Sequence, residues 1–317
     1  MKLSVIIPCF NEEDVLYDFR KELEVVVEEI KEKYSLDAEY IFVDDGSSDK
    51  TLEILREYHN SNKEYKYISF SRNFGKEAAM YAGLKASKGD YVVIIDADLQ
   101  DPPKLMLDMM AIMEKENVNC VAAKRTTRSG EPVLRSFFAR CFYKIMDKLS
   151  DTKIADGARD YRLMRRKMVD GILEMSEVNR FSKGIFSWVG YSTKWIEYEN
   201  IKRKGGKTKW SFKNLWRYAI DGIIGYTTSP LLFASGLGLC MFVLSVIGIL
   251  FVVIRKLMYG DPTSGWASTV CIILFVSGVQ LLCIGIIGEY IAKTYIEVKK
   301  RPIYLIEETD EDNKEDK

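Results

Sequence analysis

Two aspartates stand two positions apart at the end of an apolar run. Asp96 and Asp98 follow the run Tyr91–Ile95, which has the length of a buried strand. Residues two apart in an extended strand face the same way, so the two carboxylates are expected to lie together. Close carboxylates repel each other unless a cation lies between them, and their hard oxygen atoms suit Mg²⁺ or Mn²⁺. The sequence therefore predicts a divalent-metal site here rather than acids that only cap a loop.

Further apolar runs, separated by helical patterns, are expected to position these acids. The runs that read as strands are Leu3–Ile7, Tyr40–Val43, Tyr67–Phe70, Tyr91–Ile95 and Cys120–Ala123. The helical patterns between them are Asp14–Lys33, Thr51–Tyr58, Lys76–Ala86 and Lys104–Glu116. This alternation predicts an α/β fold with a mostly parallel sheet, in which ligands bind beyond the carboxyl ends of the strands.

Polar residues follow the other runs as well. Asn11 and Glu12 come after the first run, Asp44 and Asp45 after the second, and the segment 71–76 after the third. These residues are expected to converge on one edge of the sheet, and that edge is the predicted site. The sequence has neither a Gly-x-Gly-x-x-Gly pattern nor a Walker loop, so it indicates neither a dinucleotide nor a P-loop phosphate site.

The overall composition excludes several other kinds of site. The chain has 317 residues and equal numbers of acidic and basic side chains, 46 of each, so no nucleic-acid partner is expected. Its six cysteines include no Cys-x-x-Cys pair, and His59 is its single histidine. The usual zinc-ligand spacings and a histidine-dependent triad are therefore excluded.

Two long runs near the end of the chain contain no charged residue, namely 230–254 and 266–288. Each is long enough to cross a hydrocarbon core of about 30 Å, which predicts a transmembrane hairpin rather than two buried core helices. The predicted spans are 227–254 and 266–292, joined by an extracytoplasmic connector over 255–265. Lys and Arg are more frequent on the outer flanks than in the connector, so a catalytic domain over 1–210 and both termini are predicted on the cytoplasmic side of the cell (inner) membrane.

The segments on either side of this hairpin also have distinct patterns. Apolar residues and tryptophan recur at helical spacing among cations over 211–226, which predicts an amphipathic helix in contact with membrane lipid. The tail 293–317 ends in a mostly acidic stretch and is predicted to be cytoplasmic and disordered.

Taken together, the strand-end motifs resemble the inverting glycosyltransferases of family two, which have the Rossmann-like GT-A fold. Within that family the sequence is similar to polyprenyl-phosphate glycosyltransferases of the bactoprenol glucosyltransferase and dolichol-phosphate mannose synthase type. The resemblance covers nearly the whole chain, including the C-terminal hairpin. The segments that carry it are Val5–Glu13, Val43–Asp49, Arg72–Ala79, Asp96–Pro103 and Asp160–Met164.

The resemblance implies transfer of one sugar, glucose or a related hexose, from a UDP- or GDP-sugar to a polyprenyl phosphate such as undecaprenyl phosphate. It assigns the Mg²⁺ or Mn²⁺ ion to Asp96, Asp98 and Gln100, and it implies a homo-oligomer, a tetramer in relatives. The processive synthases of the family carry a Gln-x-x-Arg-Trp motif that this sequence lacks, which favours a single transfer. The resemblance assigns the nucleotide-sugar to Pro8, Asn11, Glu12, Asp44, Asp45, Lys76, Asp96 and Ala97.

The acceptor phosphate is already an anion, so its binding needs positively charged side chains more than its reaction needs a general base. The candidate cations are Lys124, Arg125, Arg128, Arg135, Arg203 and Lys209. Asp98, Asp160 and Arg162 are predicted at the reacting centre, with Asp160 acting as a base or as the orienter of a cation. Two alternatives remain: a glycosyltransferase that acts directly on another lipid or glycan, and a non-catalytic nucleotide-sugar-binding subunit of a membrane complex.

Overall fold

The computed structural model describes residues 1–125, 157–198, 224–225, 227–259 and 265–312. Their strands form one eight-stranded sheet in the order β7-β5-β6-β4-β1-β2-β3-β8. The strands are β1 Lys2–Cys9, β2 Asp37–Asp44, β3 Tyr65–Phe70, β4 Tyr91–Ile94, β5 Cys120–Arg125, β6 Ala158–Arg165, β7 Thr193–Tyr198 and β8 Ile306–Thr309. The helices are α1 Leu16–Tyr34, α2 Thr51–Ser61, α3 Lys76–Ala86, α4 Leu105–Lys115, α5 Arg166–Leu173, α6 Ser182–Trp188, α7 Ser229–Tyr259 and α8 Trp266–Val298.

Four neighbouring strands, β4, β1, β2 and β3, are parallel, so their carboxyl ends share one edge of the sheet. β1 pairs in parallel with both β2 and β4, and β2 pairs in parallel with β3. β6 enters between β4 and β5 and runs antiparallel to both, which brings the start of β6 to the same edge. The predicted α/β fold with a mostly parallel sheet is therefore confirmed, and the five predicted strands and four predicted helices form within a few residues of their expected bounds.

Apolar residues on the two faces of the sheet form its core. In α1 the buried residues recur at helical spacing and pack under the sheet beside the methionines of α4; they are Leu16, Phe19, Leu23, Val26, Val27 and Ile30. Removing one such side chain from water stabilises the fold by about 1.5–3 kcal/mol. Helices α3, α5 and α6 cover the opposite face. The strand-end loops are thus attached to a rigid, two-sided core.

The two C-terminal helices α7 and α8 are long and apolar. Each contains a segment long and apolar enough to cross a membrane, 20 residues in Ser229–Gly248 and 24 residues in Phe275–Val298. Large apolar side chains along them are exposed, for example Phe242 at 64 % and Leu281 at 70 %. These helices therefore do not serve as the buried core of a soluble domain. Most of the predicted amphipathic helix and of the connector lies outside the described residues.

The acidic tail contains a strand, whereas the sequence predicts disorder over 293–317. Ile306–Thr309 pairs antiparallel with β3 as the edge strand β8, and Glu308 forms an ion pair with Arg56. The ring of Tyr304 stacks on that of Phe70 with 4.8 Å between centroids. The prediction of disorder is wrong for this part of the tail, because β3 offers an open edge that composition alone does not reveal. The sheet therefore extends beyond the predicted domain boundary at residue 210.

The end of α8 is also tied to the domain that precedes α7. The Glu297 carboxylate accepts hydrogen bonds from the backbone N–H groups of Val178 and Asn179 at 3.0–3.1 Å. Lys293 Nζ donates to the Asn179 side-chain oxygen at 3.1 Å. The Tyr290 hydroxyl near the end of α8 donates to the Thr227 carbonyl oxygen just before α7 at 2.7 Å, so the start of α7 lies beside the part of α8 that contacts this domain.

Candidate active site

The loops that follow β1 and β2 brace each other at the edge of the sheet. The Asn11 backbone N–H donates to Ser47 Oγ at 2.9 Å, and the Ser48 N–H donates to the Asn11 side-chain oxygen at 2.8 Å. The Glu12 N–H donates to Thr51 Oγ1 at 2.9 Å. Asn11 has a positive φ of 53°, a conformation that asparagine tolerates better than most residues. The two predicted nucleotide-binding residues of the first loop are thus held in place by the second.

Asp44 and Asp45 fix the neighbouring loops through hydrogen bonds. Asp44 accepts from the Ser47 N–H at 3.1 Å and from Ser69 Oγ at 2.8 Å. Asp45 accepts from the N–H groups of Phe74 and Gly75 at 2.7–3.0 Å. Burial raises the pKa of Asp45 to about 6, although the two backbone donors oppose the shift. Both carboxylates therefore shape the edge at which the sequence predicts the nucleotide.

Gly46 lets two of these loops approach closely. It has a positive φ of 66°, and a Cβ atom built there would lie 2.4 Å from the Arg72 carbonyl carbon. Only glycine fits this position without displacing the backbone of the loop that leads to Lys76. The turn after β2 and the loop after β3 are packed against each other at this point.

The loop after β4 is a turn rather than an extension of the strand. β4 ends at Ile94, and residues 97–98 form a turn followed by Leu99 with a positive φ of 57°. Asp98 Oδ1 accepts a hydrogen bond from the Gln100 N–H at 3.0 Å. The extended geometry from which the sequence predicts two carboxylates facing the same way is therefore wrong, because the strand stops before Asp96. A buried leucine at positive φ is backbone strain at the predicted site.

The Lys76 ammonium group lies between the carboxylates of Asp96 and Asp160. Its Nζ atom is 2.7 Å from each of them. The three residues come from α3, the loop after β4 and β6, so three elements meet at this point. The side chain of Lys76 is 37 % exposed and each carboxylate 19 % exposed, so the cluster opens to solvent.

Charge pairing sets the protonation states of this cluster. Burial alone would raise the pKa of Asp160, but the Lys76 ammonium outweighs it and holds that pKa well below its usual range. Burial would lower the pKa of Lys76, and the carboxylates of Asp160 and Asp96 outweigh it and raise that pKa. Lys76 is therefore a cation and Asp160 an anion at neutral pH.

The carboxylate oxygens of Asp96 and Asp160 are of the chemical type that binds divalent cations. Asp96 and Asp160 already converge on a positive charge, and carboxylate oxygens are the ligands that Mg²⁺ and Mn²⁺ prefer. Among the described residues, no group of three or more His, Cys, Asp or Glu side chains has a metal-binding arrangement. Gln100, predicted as a ligand, accepts a hydrogen bond from Arg125 Nη2 at 3.0 Å. In this structure the carboxylates of Asp96 and Asp160 bind the Lys76 ammonium.

A second charged cluster surrounds Asp101, which is only 1 % exposed. Arg159 donates to its carboxylate from Nε at 3.3 Å and from Nη2 at 3.2 Å. The Tyr198 hydroxyl also donates to Asp101, and Arg125 Nη2 lies 3.9 Å from the same carboxylate. Since Arg125 also binds Gln100, this cluster connects the end of β5 to the loop after β4.

Arg162, predicted at the reacting centre, is buried beneath β6 and only 3 % exposed. Its guanidinium group stacks on the Phe186 ring, 3.6 Å from the centroid. It donates to the backbone carbonyl oxygens of Arg159 and Asp160 at 2.9 and 3.3 Å. Arg162 therefore holds the strand that carries Asp160, a positioning role, and the expectation that it meets the substrate does not fit its burial.

The other predicted residues are found in several environments. Ala97 is buried, Pro8 is half-buried at the end of β1, and Lys124 pairs with the exposed Glu197 at 3.6 Å. The remaining predicted acceptor cations lie outside the described residues; they are Arg128, Arg135, Arg203 and Lys209.

Sequence reasoning missed the partnership of Asp101, Arg159 and Tyr198. The sequence feature that could have predicted it is the order of residues 159–162. In a strand, residues two apart share a face, so Arg159 and Asp160 face opposite ways. Arg159 and Tyr161 turn toward Asp101 and the prolines after it, whereas Asp160 and Arg162 turn toward α3 and α6. A two-residue period along β6 therefore predicts that Arg159 and Asp160 belong to two different charged clusters.

Comparison with known proteins identifies the family to which this site belongs. Residues 4–173, more than half of the chain, match the family described as glycosyl transferase family 2. The chain belongs to glycosyl transferase family 2. Residues 229–294, which cover most of α7 and α8, match the family described as the GtrB C-terminal hairpin. This member of family 2 is therefore a glycosyltransferase whose catalytic domain is followed by a two-helix hairpin.

Relatives are similar over almost the whole chain. An uncharacterized glycosyltransferase of Synechocystis is 40 % identical over 96 % of this chain and 95 % of its own length. A prophage bactoprenol glucosyl transferase homolog of Escherichia coli is 39 % identical over 96 % of this chain and 98 % of its own. The SfII prophage-derived bactoprenol glucosyl transferase of Shigella flexneri is 39 % identical over 99 % and 100 %. The similarity to these relatives therefore includes both the catalytic domain and the hairpin.

Among solved structures, the chain is similar to the glucosyl-3-phosphoglycerate synthase of Mycobacterium tuberculosis in complex with Mn²⁺ and uridine-diphosphate-glucose. That likeness has a TM-score of 0.45 at 19 % identity and covers 70 % of this chain and 77 % of the other.

Proposed function

We propose that this protein is a membrane-anchored glycosyltransferase that moves one hexose from a nucleotide-sugar to a polyprenyl phosphate. The observation that carries the proposal is the full-length similarity to bactoprenol glucosyl transferases, at 39 % identity and including the hairpin. The charged cluster at the carboxyl edge of the sheet supplies groups of the kind that sugar transfer needs. We propose glucose or a related hexose as the sugar, with UDP or GDP as the carrier.

The hairpin supports a membrane location for the acceptor reaction. The end of α8 contacts Val178 and Asn179 of the catalytic domain, and Tyr290 near that end donates to the Thr227 carbonyl oxygen just before α7, so the two ends of the hairpin lie on the same side. A segment that starts and ends on one side of a bilayer crosses it an even number of times, which agrees with two spans. The bias of Lys and Arg toward the outer flanks supports the cytoplasmic side.

The donor is proposed to bind where the loops after β1, β2 and β4 meet. Asn11, Glu12, Asp44 and Asp45 lie in the two braced loops that would receive the nucleotide. Asp96, Asp98 and Gln100 would hold a divalent cation, which would neutralise charge that develops on the diphosphate leaving group.

The acceptor phosphate is proposed to be seated by Arg125 at the end of β5. Arg125 lies next to Gln100 and is connected through it to the loop that carries Asp96 and Asp98. A phosphate monoester is an anion near neutral pH, so its oxygen attacks without a strong base. Asp160 lies at a point that holds a positive charge, here the Lys76 ammonium at 2.7 Å, and a cation beside it makes it a poor proton acceptor. We therefore assign Asp160 the role of orienting a cation rather than that of a base.

The proposal is tested by incubating the full-length protein in lipid vesicles with undecaprenyl phosphate and labelled nucleotide-hexoses, in the presence of Mg²⁺ or Mn²⁺. The expected product is one hexose linked to the lipid phosphate, extractable into organic solvent. Asp98→Ala is expected to lower the rate at least about 100-fold, near 3 kcal/mol of transition-state stabilisation. Asp108→Ala is the matched control, because Asp108 is exposed on α4.

Other outcomes would contradict the proposal in distinguishable ways. Label on a different lipid or on a glycan, with none on undecaprenyl phosphate, would identify another acceptor. Binding of the nucleotide-sugar without transfer to any added acceptor would favour a non-catalytic subunit. Full activity of Asp98→Ala, or full activity in excess EDTA, would exclude the proposed metal site.

A further inference from the structure

The position of Lys76 between Asp96 and Asp160 bears on how a metal reaches this site. Nζ touches both carboxylates at 2.7 Å, as close as an ammonium group comes to a carboxylate oxygen. A divalent cation held by Asp96, a carboxylate that Lys76 occupies here, would lie at about 2.0–2.5 Å from its oxygens. The ammonium and the metal therefore compete for the same space and for the same negative charge.

Lys76 is also suited to move. It is the first residue of α3 and follows Gly75, which has a positive φ of 99° and no atom within 4 Å of the place of its missing Cβ. The lysine side chain is a point charge on a flexible four-carbon stem, and 37 % of this one is exposed. The Lys76 ammonium can therefore leave the two carboxylates without unfolding the element that carries it.

A second anion would draw Lys76 away from the carboxylates. The diphosphate of a nucleotide-sugar carries charges that pair with ammonium groups. Once Lys76 turns toward such a diphosphate, Asp96 and Asp160 lose the positive charge between them and repel each other. A divalent cation held by Asp96 would relieve that repulsion and would offset the negative charge of the diphosphate.

We propose that Lys76 acts as a built-in substitute for the divalent cation, holding Asp96 and Asp160 together until the donor diphosphate removes it. Metal and nucleotide then bind cooperatively, and the nucleotide-free protein binds the metal weakly. This inference rests on the proposed nucleotide-sugar donor, but it concerns binding rather than transfer. A protein that binds nucleotide and metal without transferring sugar would still test it.

The test measures Mn²⁺ binding to the full-length protein in detergent by the electron paramagnetic resonance signal of free Mn²⁺. Without nucleotide, the wild-type protein is expected to bind Mn²⁺ weakly, and addition of UDP or GDP is expected to raise its affinity about tenfold or more. Lys76→Met is expected to bind Mn²⁺ about tenfold more tightly than wild type without nucleotide, and to gain much less when nucleotide is added. Lys76→Arg keeps the cation and is expected to resemble wild type.

Lys85→Met is the matched control, since it removes the same charge from an exposed position on the same helix. It is expected to leave Mn²⁺ binding unchanged, which separates a local effect from one of net charge. Equal or weaker Mn²⁺ binding by a folded Lys76→Met protein would overturn the proposal. If Lys76→Met does not fold, the wild-type protein still tests the proposal. Equal Mn²⁺ affinity of wild type with and without bound nucleotide would overturn the proposal.

Discussion

Asp101 and Arg159 form a two-point ion pair at the carboxyl edge of the sheet, with Nε and Nη2 at 3.3 and 3.2 Å from the two carboxylate oxygens. The pair joins the loop after β4 to the start of β6, the strand that carries Asp160. Tyr198 and Arg125 complete its surroundings, so the carboxylate is almost wholly shielded from water. Arg159 directly precedes Asp160, and Asp101 lies five residues after Asp96, so the relative position of Asp96 and Asp160 depends on this contact.

Asp101→Asn is expected to lower the melting temperature of the protein and its transfer rate together. Removing one partner of a buried ion pair leaves the other charge uncompensated, which costs about 3–5 kcal/mol. Thermal unfolding in detergent and the transfer assay measure the two effects. Asp170→Asn is the control, because Asp170 pairs with Arg166 at 3.8 Å on the surface and such pairs contribute about 0–1 kcal/mol. Equal melting temperatures for the two variants would contradict the structural role of Asp101.

Gly46→Ala is expected to destabilise the protein and to weaken nucleotide binding. The new Cβ atom would lie 2.4 Å from the Arg72 carbonyl carbon, in addition to the strain of a positive φ. Gly75→Ala provides the comparison, since Gly75 also has a positive φ but has open space where its Cβ would lie. Thermal unfolding and nucleotide titration should show the larger loss for Gly46→Ala. Losses of the same size would mean that the loops do not need this close approach.

Glu39 is expected to make stability depend on pH in the acidic range. Its side chain is 1 % exposed. The carboxylate forms ion pairs with Lys2 and Lys66 and accepts hydrogen bonds from Ser4 Oγ and from the Lys88 backbone N–H. Burial would raise the pKa of Glu39, but these partners outweigh it and lower the pKa from 4.5 to about 2. Because the folded pKa is the lower one, the ionised carboxylate stabilises the fold above pH 4.5, by about 3 kcal/mol, and this is lost as the pH falls toward 2.

Glu39→Gln should therefore melt at a lower temperature than wild type at pH 7, with a difference that shrinks between pH 4.5 and 2. Glu53→Gln, at an exposed position of α2, should follow the wild-type curve. A constant difference between Glu39→Gln and wild type across that range would show that the ionised carboxylate is not the stabilising form.

Removing residues 302–317 is expected to destabilise the catalytic domain itself. The deletion removes β8 from the edge of β3, the ion pair of Glu308 with Arg56, and the stack of Tyr304 on Phe70. Removing only 313–317 is the control, because the described contacts of the tail lie before residue 313. Thermal unfolding in detergent should show a loss for the longer deletion alone. Identical melting curves would mean that β8 adds nothing to the stability of the sheet.

The sequence predicts the elements of this fold well where the signal is local. The bounds of α3 agree at both ends, because a helical pattern follows Gly75 and stops before Ser87. β8 escaped prediction because Ile306–Thr309 contains two glutamates and gains its partners only from β3, far away in the chain. These residues form a strand because the open edge of β3 offers them backbone hydrogen-bond partners.

The candidate site was predictable in its residues but not in their pairing. Asp96, Asp98 and Asp160 are recognisable from motif and strand end, and the structure brings Asp96 and Asp160 to one cation. That the cation is Lys76 depends on how α3 packs against β1 and β2, which no local pattern records. Arg162, predicted beside Asp160 at the reacting centre, is buried among backbone carbonyls and an aromatic ring, an environment that its motif does not reveal.

The antiparallel pairing of β8 with β3 sets an order of events during synthesis. The ribosome completes seven strands of the sheet first, then both apolar helices, and only then the residues that pair with β3. Until then the edge of β3 has unpaired backbone groups, the kind of surface on which chains aggregate. The catalytic sheet is therefore closed only after both apolar helices have been synthesised. A chain that stops before residue 306 would keep that edge open, even though all of its other strands are complete.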